Sequence, residues 1–173
     1  GIIILDDVYP GFPGDVRNAS AFPFPIQYEI AENVDIWALV HEEDKSPCRE
    51  PILHAAKKLE KMGCRAIAAE CGYFAYFQRD VAAHVDVPVF MSSLLQLPVI
   101  SRMLKPSEKI GIITASAKTL TPKHLQIATN GADIPLAIAG MEDQKHFYDA
   151  IHAEVGELDF DAVEAEVVGV TRD

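Results

Sequence analysis

The chain has 173 residues, 49% of them apolar, enough to bury a core of ordinary size in one domain or two small lobes. Its 26 Asp and Glu outnumber its 15 Lys and Arg, and the formal charge of -11 would repel a nucleic-acid backbone or an anionic membrane. No stretch approaches the roughly 20 apolar residues of a bilayer-spanning helix, and Gly1 to Leu5 is too short and lacks the basic flank of a signal peptide, so a soluble, cytoplasmic protein is expected.

In chain order, β-branched runs alternate with helical patterns, the signature of βα units around a mostly parallel sheet. Strands are predicted at about 2–5, 35–40, 65–69, 87–91, 109–114 and 134–139. Several are apolar at nearly every position, as strands covered by helices on both faces are. Residues 6–25, rich in Pro and Gly, form a long irregular segment at the carboxyl end of the first strand, where open parallel sheets bind ligands. A helix from about Glu50 to Met62 places Leu53, Ala56, Leu59 and Met62 on one face and stops at Gly63. Tyr73 to His84 carries Phe74, Phe77, Val81 and His84 at helical spacing, a stripe that reads as core packing. Thr121 followed by Pro122 reads as an N-cap with proline at the first helical position, and Asn130 with Gly131 closes that helix. A last helix, about Asp159 to Val170, presents Phe160, Val163, Val167 and Val170 on one face. The alternation then calls for another strand, so residues are expected beyond Asp173, and the start at Gly1 without a methionine suggests the same there.

Three cysteines, Cys48, Cys64 and Cys71, are an odd count without CxxC spacing, which argues against a disulfide framework or a structural zinc site. The six histidines form no HxxxH or HExxH pair, so no metal is expected. The absence of GxGxxG, GxxxxGK[ST] and GxSxG removes the local warrants for dinucleotide, nucleoside triphosphate or serine-hydrolase chemistry.

Cys71 ends a buried strand and immediately precedes a helix, where unpaired N–H groups lower a thiol pKa. Gly72 lets the backbone turn sharply and a ligand approach closely. Glu70 works the other way unless its side chain points to the opposite side of the strand, as alternation predicts. The bland alternative for Cys71 is a buried small apolar residue. Asp15 and Asn18 in the first loop could position an ammonium or amide group, or simply make local turns. Ser92, Ser93, Thr114 and Ser116 at strand exits could hydrogen-bond a substrate carboxylate, or cap the helices that follow.

The runs from Ala69 to Arg79, from Pro13 to Asn18 and from Pro88 to Gln96 resemble the aspartate/glutamate racemase superfamily, most closely its poorly characterised members. The superfamily also contains hydantoin racemases, maleate isomerases and arylmalonate decarboxylases. The resemblance implies two Rossmann-like α/β lobes, here 1–98 and 99–173, the second stopping before its final strand. It also implies no cofactor, a small carboxylate substrate, possible homodimers, and one cysteine from each lobe acting on opposite faces of a substrate carbon. Cys71 matches the first-lobe cysteine, and the sequence ends before the position of the second. The implied activity is a cofactor-independent racemase or epimerase of a small amino acid or related carboxylate. The alternatives are a one-cysteine decarboxylase or cis-trans isomerase of the same superfamily, and a non-catalytic small-molecule binding domain.

Overall fold

The computed structural model describes residues 1–8, 11, 13–152 and 159–172. Residues 9, 10 and 12 of the long first loop lie outside that set. The chain forms a mixed α/β fold with two parallel sheets. The first runs β2-β1-β3-β4, with β1 at Ile2–Ile4, β2 at Tyr28–Ile30, β3 at Ile67–Ala69 and β4 at Val89–Phe90. The second pairs β5, Ile110–Thr114, with β6, Leu136–Gly140. Ile3 lies opposite Glu29 on one side and Ala69 on the other, while Ile110 to Thr114 pair in step with Leu136 to Gly140.

The helices are α1 (Ser46–Lys61), α2 (Gln78–Ala82), α3 (Leu97–Ile100), α4 (Pro122–Ala128), α5 (Lys145–His152) and α6 (Phe160–Val170). Along α1, Ile52, Leu53, Ala56 and Leu59 recur at helical spacing and are buried in one core with Ile3 and Ile67. Each such Leu or Ile withdrawn from water contributes about 1.5–3 kcal/mol. Gly63 ends the helix at φ 88°, a left-handed conformation that glycine adopts without steric penalty. The expected cap of α4 is present as a capping box between Thr121 and His124, and Asn130 and Gly131 turn the chain with φ of 53° and 78°.

Two elements differ from the sequence reading. Residues 35–40 do not form a strand: Trp37–His41 is a π-helical turn. Asp35 opens it, its carboxylate accepting from the Ala38 N–H at 2.8 Å and its carbonyl from the Leu39 N–H at 3.1 Å. Local side-chain bonding of this kind competes with a strand ladder. The missing partner of β1 is instead Tyr28–Ile30, a three-residue edge strand too short and polar to show as an apolar run. The helix expected from Tyr73 to His84 divides into a 3-10 stretch, Gly72–Phe77, and α2. Its three-residue repeat buries both Phe74 and Phe77 in the core and turns both Tyr73 and Tyr76 against the ring of His124. Gln78 fixes the junction by donating to the Val89 carbonyl and accepting from the Met91 N–H.

Candidate active site

Parallel strands deliver their carboxyl ends to one edge of a sheet, and here exits from both sheets meet. The loop after β1 brings Asp7, Asp15 and Arg17, the exit of β3 brings Glu70, Cys71, Gly72 and Tyr73, that of β4 brings Ser93, and β5 ends in Thr114. Together they line a cavity of about 310 Å³, room for a small molecule. The Tyr28 hydroxyl donates to the Val16 carbonyl at 2.8 Å, so the edge strand ties the loop down.

The electrostatic centre of the cavity wall is a buried ion triad. The Arg17 guanidinium grips Glu70 through Nε and Nη2 and reaches Asp7 Oδ1 at 2.5 Å, with side chains only 7–13% exposed. The carbonyls of Leu5 and Asp7 each accept from Arg17 at 3.2 Å, and the Leu5 N–H donates to Glu70. Burial pushes the Glu70 carboxyl up from its usual range, against the pull of Arg17 and the Leu5 N–H. Among the described residues that line the cavity, three carboxylates, Asp7, Asp15 and Glu70, stand against one guanidinium, formally two charges negative. Such a wall favours a ligand that carries positive charge.

Cys71 sits between this wall and the turn beginning at Gly72. The expectation of a lowered thiol pKa is overturned: burial pushes the Cys71 thiol up to about 12, aided by the negative charge of Glu70 and Asp7. The Tyr73 backbone amide and Arg17 favour the thiolate, but both are outweighed. The segment after Cys71 is a 3-10 turn of six residues, not a regular α-helix with aligned terminal donors. Glu70 does not point away from the cavity either. It follows the last ladder residue, Ala69, so strand alternation no longer governs it.

Of the residues singled out in the sequence, Cys71, Gly72, Asp15, Ser93 and Thr114 meet on the cavity. Asn18 does not line it. Its side chain accepts from the Ser20 N–H at 3.0 Å, capping the short turn Ala19–Ala21, and donates to the Gly11 carbonyl. Ser92 is buried and caps Ser93–Gln96 through the Leu94 N–H, and Ser116 is buried with its backbone bonded to the Tyr73 hydroxyl. Cys48 is buried in α1, and Cys64 lies before β3, at the opposite end of that strand from Cys71. Asp7, Arg17 and Tyr73 were not anticipated. Arg17 stands 53 residues from Glu70, a separation that no local sequence signal spans. Among the described residues no group of three or more His, Cys, Asp or Glu could hold a metal ion, and no helix is long and apolar enough to cross a membrane.

No family model matches the chain. Over all of its length it is 28% identical, across 177 residues, to dimethylsulfoniopropionate lyase 3 of Emiliania huxleyi (strain CCMP1516), covering 46% of that protein. A dimethylsulfoniopropionate lyase of Durusdinium sp. clade D is 29% identical over 129 residues, 74% of this chain and 43% of the relative. The chain spans about half the length of the curated relatives it matches. Among solved structures, glutamate racemase from Campylobacter jejuni subsp. jejuni superposes with a TM-score of 0.52 at 16% identity, over 99% of this chain and 67% of the other. The fold is racemase-like. The α/β architecture implied by the sequence resemblance is therefore present, with parallel sheets flanked by helices and a second sheet of two strands.

Proposed function

We propose that the Cys71 cavity removes a proton from the carbon next to a carboxylate, and that the reaction is a lyase elimination from a sulfonium carboxylate of the dimethylsulfoniopropionate kind. The observation that carries this reading is the likeness of this whole chain to about half the length of dimethylsulfoniopropionate lyases, joined to a thiol-bearing cavity whose described lining is net negative. Racemisation and elimination share their first step, loss of the α-proton, and differ in what happens to the electron pair.

In the elimination, the Cys71 thiol first yields its proton to solvent as the sulfonium enters. A cation beside the sulfur offsets the burial and the carboxylates that hold the thiol protonated. The thiolate then takes the α-proton, the C–H pair becomes the carbon–carbon double bond, and the β-carbon–sulfur bond breaks toward sulfur. Dimethyl sulfide leaves neutral, acrylate remains, and the thiol is restored. Ser93 and Thr114 supply hydroxyl donors to the carboxylate, where charge builds as the proton is lost. Asp15 faces the sulfonium. Cys71 is the base in this reading. Racemisation, which uses an acid on the opposite face as well, is the second reading, supported by the fold.

The test is headspace detection of dimethyl sulfide from dimethylsulfoniopropionate, in parallel with chiral chromatography of aspartate and glutamate. Full-length protein is expected to release sulfide, and Cys71→Ala to lose at least about 100-fold in rate with its circular dichroism intact. Racemisation without sulfide release would select the second reading. Turnover of neither substrate by a protein that these ligands stabilise thermally would leave a binding domain.

A further inference from the structure

The Tyr73 hydroxyl lies within hydrogen-bond distance of four groups on the segment that leaves β5. It donates to the Ser116 carbonyl at 2.5 Å, and faces the Ser116 N–H at 3.1 Å, Thr114 Oγ1 at 3.0 Å and Thr119 Oγ1 at 3.2 Å. A phenol oxygen has one proton and two lone pairs. The carbonyl takes the proton, so three donors compete for two lone pairs. The Ser116 N–H is fixed by the backbone, leaving Thr114 and Thr119 to share the other place. One threonine hydroxyl hydrogen is therefore always released to another acceptor. Thr114 lines the cavity, so its hydroxyl can turn to a ligand oxygen while Thr119 takes its place on Tyr73, with no hydrogen bond lost.

The same residue also neighbours the thiol: it lies two positions after Cys71 in the turn that the Phe74 N–H closes by donating to the Cys71 carbonyl at 3.1 Å, and both line the cavity. Tyr73 is 2% exposed and its ring is held edge-on by His124 at 5.4 Å between centroids, which fixes the direction of its hydroxyl. We propose that Tyr73 is a positioning residue that fixes the Cys71 sulfur relative to the carboxylate-binding arm, Thr114 to Thr119, and that exchange between the two threonines frees Thr114 for the ligand. The inference rests on the reading that this cavity takes a carboxylate beside Cys71. It adds a connection between the two sheets that sets the geometry of proton removal, where small displacements change rates steeply.

The experiment uses full-length protein, with Tyr73→Phe to remove the hydroxyl and keep the ring, and Thr119→Val to remove only the stand-in donor. Two readouts are taken: kcat and KM for dimethyl sulfide release, and protection of Cys71 by acrylate or propionate against iodoacetamide, followed by peptide mass spectrometry. For Tyr73→Phe, kcat/KM is expected to fall about 10- to 100-fold, with a loss in kcat as well as a rise in KM. Half-protection should need about tenfold more carboxylate. Thr119→Val should need several-fold more carboxylate for half-protection than wild type. A folded Tyr73→Phe with kcat, KM and protection all within twofold of wild type overturns the proposal. If that variant fails to fold, unchanged protection in Thr119→Val overturns it, as does a wild-type protein that no carboxylate protects. Should wild type release no sulfide while carboxylate protection is present and weakens in both variants, the lyase reading fails and this one stands.

Discussion

Replacing Arg17 by methionine tests whether the ion triad is part of the fold or a solvated ornament of the cavity. The change keeps most of the side-chain length and removes every bond the guanidinium makes to Glu70, to Asp7 and to the carbonyls of Leu5 and Asp7. Glu70 and Asp7, 7% and 13% exposed at their side chains, are left as adjacent carboxylates without their cation. Removing one partner of a buried pair costs about 3–5 kcal/mol, and the open side of the cavity, which admits water, favours the lower end. For a domain of this size about 3 kcal/mol lowers Tm by on the order of 10 °C. The loss should depend on pH. Burial already raises the Glu70 carboxyl against the pull of Arg17, so without Arg17 the folded state holds a proton on Glu70 to higher pH, and the variant loses further stability as pH rises from about 5 to 8. Urea unfolding at several pH values measures both effects, and adding Glu70→Gln to the variant should recover part of the deficit. A destabilisation below about 1 kcal/mol, unchanged over that pH range, would falsify the assignment of the triad as a buried structural unit.

Burial of His124 holds its imidazole well below the ordinary value, at about 4, with Lys45 and Lys123 adding to the effect. The unfolded state then binds a proton that the folded state refuses. The stability His124 contributes is present above about pH 6.5 and is lost as pH falls toward 4, a slope worth about 3 kcal/mol. His124→Gln keeps a capping partner for Thr121 and should flatten that limb in urea titrations, and an unchanged acid limb would place the titrating group elsewhere. The Cys71 thiol, pushed up to about 12, should react with iodoacetamide at pH 8 on the order of 50-fold more slowly than in the unfolded chain, its greater intrinsic nucleophilicity offsetting part of the lost thiolate. Alkylation at the rate of a free thiol would mean that the folded protein stabilises the thiolate after all.

What could be read from the sequence follows from how local each signal is. Strands β1, β3, β5 and β6 announce themselves because they sit in apolar runs between turn residues. The π-helical turn at Trp37–His41 did not, since its cause is the Asp35 side chain competing with a ladder, which an apolar count ignores. Cys71 was legible from its place after a strand, and Ser93 and Thr114 from the same rule applied to other exits. Its protonation was not legible, because burial and the company of Asp7 and Glu70 are properties of the assembled cavity. The role of the Tyr73 hydroxyl was equally hidden. In the sequence it belongs to an aromatic stripe, and its partners stand 41 to 46 residues away.

The raised thiol pKa bears directly on which reaction the cavity suits. A thiol held near 12 is scarcely ionised at neutral pH, a cost to any base, but the thiolate it forms is closer in strength to the carbanion it must generate. A neutral or zwitterionic amino acid brings its ammonium hydrogens, which Asp15 and the other carboxylates would bind. A sulfonium brings positive charge with no hydrogen to donate, so its interaction with the wall is through the field alone. On the elimination reading that field does two things at once: it releases the Cys71 proton when substrate arrives, and it is discharged when dimethyl sulfide departs neutral. By then the thiol has taken its proton from the α-carbon, and the cavity again favours the protonated form. A base that is strong only while its cationic substrate is present is what the net-negative wall around Cys71 would produce, and an elimination uses it once per turnover in one direction.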